Sequence, residues 1–106
     1  MRLLIVSGNL RPSEAMREYL NWRARFALGR LAAVLRAVRI SGRDENGPPG
    51  GGHKRCRVLL YPRRGGTIVV ETSGEQLKPL IDRTLARASR TLARAVKHAA
   101  VRRLEL

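Results

Sequence analysis

The spacing of apolar residues along this chain switches between a period of two and a period near 3.6, and each switch marks an element. Leu3, Leu4, Ile5 and Val6 form a short β-rich run closed by Gly8 and Asn9, which predicts a first strand over Arg2 to Ser7 and then a turn. Met16, Leu20, Ala24, Ala27, Leu28 and Leu31 then recur at helical spacing. With Ser13 as N-cap and Glu14 in the first turn, they predict a helix continuing to about Ala32. Val34 to Ile40 predicts a second strand, with Val38 and Ile40 on one side and Ala37 and Arg39 on the other.

Asp44 to Gly52 reads D-E-N-G-P-P-G-G-G, a composition that supplies turns and cannot pack a core, so it is expected to be a loop. His53 to Tyr61 resumes a strand, with Cys56, Val58 and Leu60 facing one way and Arg55, Arg57, Leu59 and Tyr61 the other. Pro62 to Gly66 turns the chain, and Thr67 to Glu71 completes a hairpin. Thr72 and Glu75 have capping-box spacing ahead of a final helix. Pro79 tells against an early start, because a proline two turns in would lose a hydrogen bond and clash; the regular helix is expected to begin near Lys78, with Pro79 at its first position. The order β-α-β-β-β-α implies an α+β fold, a four-stranded sheet with two helices packed on one face. At 106 residues the whole of 1–106 makes a single domain with one modest core.

In the final helix Leu77, Leu80, Ile81, Leu85, Ala88, Leu92 and Val96 form the apolar side. Arg83, Arg87, Arg90, Arg94 and Lys97 recur at four, three, four and three residues and gather within roughly 80° of arc on the other side. One face suits a core and the other a polyanion. This ridge concentrates an excess that runs through the molecule: twenty-two Lys plus Arg stand against eight Asp plus Glu, a net charge of +14. Such a balance favours association with polyanions and says nothing about fold. Nineteen of the cations are arginine, whose guanidinium forks onto phosphate and stacks on bases. A GC-rich coding bias accounts for part of the arginine excess but not for its one-sided placement. Arg39, Arg55 and Arg57 make the open sheet face a candidate second basic surface, the alternative being solvated charges at cross-strand spacing.

Tyr19, Trp22 and Phe26 follow an i, i+3, i+7 pattern on the first helix, which predicts packing against the sheet or the second helix; an exposed aromatic patch for a partner is the alternative. The sheet is not rich in the aromatic residues that stack single-stranded bases, with only Tyr61 on a strand, so recognition of shape and phosphate is expected over base reading. His53 and Cys56 do not make a metal site, since a strand sends residues three apart to opposite faces and structural zinc takes four ligands; Cys56 reads as a small buried residue. The glycine-rich loop lacks the Walker pattern. No carboxylate pair, Ser/His/Asp set or activated cysteine can be assembled, so an enzyme is not expected, nor a cofactor or small-molecule substrate. The lone cysteine and the absence of any signal peptide or membrane span point to the cytoplasm.

Several stretches together resemble the short form of the ribosome hibernation-promoting factors and ribosome-associated inhibitors, which share this element order. They are the opening R-L-L-I-V-S-G-N-L, S-E-A-M-R-E-Y-L at the first helix, G-T-I-V-V-E-T in the hairpin and L-K-P-L-I-D-R at the start of the second helix. F-A-L-G-R and the segment D-E-N-G-P-P-G-G-G-H-K-R-C look like those of one branch of that family. The resemblance implies a monomer that binds the small ribosomal subunit, lies in the channel for messenger and transfer RNA, and blocks translation in resting or stressed cells. Carried onto this sequence, it makes Arg83, Arg87, Arg90 and Arg94 contacts to rRNA phosphates. The longer Gly/Pro loop and Pro79 depart from the family pattern, as does the lack of the long C-terminal extension by which long-form members pair ribosomes. A general RNA- or DNA-binding regulatory module is the alternative.

Overall fold

The computed structural model describes residues 1–6, 8–45 and 53–105, with side chains through residue 100. The elements are β1 (Arg2–Val6), α1 (Glu14–Leu28), a 3-10 segment (Gly29–Val34), β2 (Leu35–Asp44), β3 (Lys54–Pro62), β4 (Ile68–Gly74) and α2 (Leu77–Glu105). The expected β-α-β-β-β-α order and α+β class are present. The strands lie in the order β1-β2-β3-β4. β1 and β2 are parallel, because the helical crossover returns the chain to the same end of the sheet, and the other two pairs are antiparallel.

One sheet face is buried. Val38 and Ile40 of β2, Cys56, Val58 and Leu60 of β3 and Val70 of β4 meet Leu20, Ala24 and Leu28 of α1 and Leu80, Ile81, Leu85, Ala88 and Leu92 of α2. The period-two and period-3.6 patterns thus converge on a single cluster, leaving the opposite sheet face and the outer sides of both helices to solvent.

Several element ends move from where local sequence places them. α1 stops at Leu28, and the apolar stripe through Leu31 and Ala32 continues as a 3-10 segment. β2 extends four residues past Ile40, and Asp44 is a strand residue paired with Lys54. The two edges of the expected loop meet where the Glu45 amide donates to the His53 carbonyl at 2.9 Å; the rest of that loop, 46–52, lies outside the described residues. β4 continues through Ser73 and Gly74, both paired to β3, so Thr72 is no helix cap. Its hydroxyl instead meets that of Thr84 on α2, and Thr84, fully buried, donates to the Leu80 carbonyl at 2.6 Å. α2 begins at Leu77, which makes Pro79 the third helical residue. That position is still in the first turn, where an amide has no intrahelical acceptor and its absence costs nothing.

Ser13 caps α1 as expected, accepting from the Met16 amide at 3.1 Å. Ahead of it, the Asn9 side chain donates to the Asp44 carbonyl and accepts from its amide, both at 2.8 Å, tying the β1–α1 turn to the end of β2. Gly8 makes that turn at φ +36°, and a Cβ there would stand 2.6 Å from the Gly42 carbonyl oxygen. Gly8→Ala combines a left-handed backbone with a backbone clash and is expected to cost about 1–3 kcal/mol, read as a lower urea midpoint. Cys56 lies in the core, where burial pushes its thiol pKa up. At neutral pH it is expected to react with a disulfide reagent only as fast as the protein opens, and at once in denaturant.

Candidate nucleic-acid interface

The length of α2 sets the scale of the candidate surface. Its 29 residues span about 43 Å at 1.5 Å per residue, in a molecule measuring 56 × 22 × 18 Å. Arg83, Arg87, Arg90, Arg94 and Lys97 are all exposed, while Leu85, Ala88 and Leu92 between them are buried. The five do not behave alike. Arg83 donates through Nη2 to the Ser73 carbonyl, fastening the first turns of α2 to the end of β4. Arg87, Arg90, Arg94 and Lys97 have no carboxylate partner among the described residues. Neighbours three and four apart on a helix have Cβ atoms about 5–6 Å from each other, so these four like charges repel, and no carboxylate among the described residues pairs with them. A row of phosphates would remove that repulsion and let bound counterions go.

The open sheet face is different. Arg55 Nε lies 2.8 Å from Glu45 and its Nη1 3.5 Å from Glu71, and Arg57 Nε is 3.2 Å from the other oxygen of Glu71. Both arginines are exposed but already held by carboxylates. Arg39, exposed one strand over, has no such partner among the described residues and sits in a row with Leu4, Leu59 and Val69. Among the described residues the sheet face therefore carries fewer arginines without a carboxylate partner than the α2 ridge does. His53 is exposed and Cys56 buried, so the two do not converge.

Between the helices, Asp82 is the acceptor of a small network. Tyr19 donates its hydroxyl to Oδ1, and Arg23 donates Nε to the same atom at 3.0 Å. The hydrogen bond to the Asp82 carboxylate raises the Tyr19 pKa, with smaller upward contributions from burial and from the charge of Asp82. Lys78 Nζ lies 4.6 Å from the Tyr19 ring centre. Trp22 and Phe26 do not pack inward as expected: they are 59% and 69% exposed. The reason is rotational. The buried stripe of α1 is Leu20, Ala24 and Leu28, and positions 22 and 26 stand two residues off it, nearly opposite on a helix. That offset was the signal available in the sequence, and the spacing within the aromatic trio obscured it.

Among the described residues no helix is long and apolar enough to cross a membrane. No protein-family model matches the chain, and no match emerges among curated proteins. Solved structures do match. A ribosomal subunit interface protein from Coxiella burnetii superposes with a TM-score of 0.72 at 15% identity, over 92% of this chain and 99% of that one. The N-terminal domain of Thermus thermophilus protein Y superposes with a TM-score of 0.65 at 20% identity, over 89% and 98%. Each aligned chain is covered almost end to end, so the whole β-α-β-β-β-α arrangement is shared: this chain has the fold of a ribosomal subunit interface protein and of the protein Y N-terminal domain.

Proposed function

We propose that this protein is a non-catalytic ribosome-associated inhibitor that binds the small subunit through rRNA phosphates and occupies the channel used by messenger and transfer RNA in resting or stressed cells. The observation that carries the reading is the row Arg87, Arg90, Arg94 and Lys97, exposed and without carboxylate partners among the described residues, on a rigid helix of a fold shared with a ribosomal subunit interface protein. A chain with a net charge of +14 binds many polyanions weakly; a preformed line of cations selects those with a matching line of phosphates. The test is sedimentation of purified protein with isolated small and large subunits at physiological salt. Association with the small subunit, displaced by a leaderless messenger and initiator transfer RNA, is the expected result. Equal affinity for any RNA or DNA duplex with no preference for the subunit would make the protein a general nucleic-acid module instead.

A further inference from the structure

Trp22 and Phe26 are the two most exposed large apolar side chains among the described residues, and they are ordered against each other. Their ring centres are 5.8 Å apart with planes inclined by 23°, a stacked pair, and Tyr19 adjoins Trp22 at 6.1 Å. The Arg23 guanidinium lies 5.5 Å from the Phe26 centre and is itself anchored on Asp82. Leaving two aromatic rings in water forfeits most of the transfer free energy their burial would give. A partner that offers flat apolar surface together with negative charge recovers it.

The surroundings indicate which partner. α1 and α2 run in the same sense: Pro12 and Leu20 share a cavity with Leu77 and Ile81, and Ala33 and Val34 share another with Leu92 and Val96. Asp82 touches α1, and Ala86, Ser89 and Ala93 continue its stripe at four, three and four residues, all half-buried and all small. Phe26, seven residues beyond Tyr19, comes to the level of Ser89 and Arg90, seven and eight beyond Asp82. The outer side of the helical layer thus carries an aromatic stack on α1, a low floor of small side chains, and the cationic ridge on α2, with helix axes about 8–10 Å apart. A short single strand spans that separation.

We propose that the Trp22–Phe26 stack seats an unpaired RNA base, with the neighbouring phosphates on Arg87, Arg90 and Arg94. This rests on the RNA-binding reading above and adds single-strand selectivity to it, where charge alone would favour any phosphate array. Base stacking on aromatic rings tolerates any sequence, since every base has a π-face.

Trp22 is the only tryptophan, so its emission reports on the seat directly. Short oligoadenylate is expected to quench it, and inorganic polyphosphate to bind without quenching. Phe26→Ala should weaken oligoadenylate binding roughly 5- to 150-fold and leave polyphosphate binding within about twofold. Phe26→Leu, which keeps apolar bulk and loses the ring, should match Phe26→Ala. Matching thermal melts of both variants exclude loss of folding as the cause. Absence of quenching, or undiminished oligoadenylate affinity in Phe26→Ala, overturns the proposal. So does small-subunit association that Phe26→Leu keeps and Phe26→Ala loses, which would mark an apolar protein-docking patch. Quenching by oligoadenylate without any subunit association would sink the ribosomal reading and leave the stacking seat standing.

Discussion

Arg87→Glu combined with Arg94→Glu is expected to abolish co-sedimentation with the small subunit at physiological salt. Each residue is exposed, lies in the middle of the ridge and has no carboxylate partner among the described residues, so its charge is available to a phosphate. A charge-assisted hydrogen bond is worth roughly 1.5–3 kcal/mol, so losing two weakens binding roughly 10²- to 10⁴-fold before the added repulsion is counted. The salt dependence supplies an independent measure: two lost phosphate contacts should lower the slope of log K against log salt by about 1.4–1.8. Arg11→Glu with Arg64→Glu removes the same net charge from exposed positions off the ridge and is the matched control. A small change there and a large one on the ridge assigns the effect to position. Equal losses in both pairs would mean that only net charge matters, and the ridge would have no specific role.

The second large effect is on folding. Leu85→Ala, in the fully buried face of α2, is expected to cost about 2–5 kcal/mol, because it leaves a cavity inside the hydrophobic cluster that relaxation refills only in part. Against a total stability of about 5–15 kcal/mol for a small domain, that is a large fraction, and urea denaturation monitored by circular dichroism would show it as a lower midpoint. Arg87→Ala, two residues on and exposed, should move stability by no more than about 0.5 kcal/mol. The pair separates the packing face of the helix from its proposed RNA-binding face. Leu85→Ala lowers RNA affinity only through the folded fraction and leaves the salt slope unchanged; ridge substitutions change the slope and leave the midpoint nearly where it was.

Local pattern carried far in this chain where the governing interactions are themselves local. The Ser13 cap depends on an amide three residues away, and the alternation of Val38 and Ile40 against Arg39 depends only on the pleat. Strand ends were less legible. Asp44, Ser73 and Gly74 join the sheet because β3 extends far enough to pair with them, and residues that far apart in sequence send no signal to one another in a local window. Thr72 shows the same limit: it has the spacing of a cap, yet its hydroxyl is taken by Thr84 on the helix that packs over it.

The ridge was determined by sequence alone, since a helix of about 3.6 residues per turn must bring positions 83, 87, 90, 94 and 97 to one side whatever surrounds it. Tertiary structure decided how those charges are used. Arg83 is bound to the β4 backbone and Arg55 and Arg57 to Glu45 and Glu71, whereas Arg87, Arg90, Arg94 and Lys97 have no carboxylate partner among the described residues. It also decided that Trp22 and Phe26 face water, because the sheet could take only one side of α1 and Leu20, Ala24 and Leu28 filled it. Periodicity specifies which residues share a face; only packing specifies which faces are covered and which charges already have a partner.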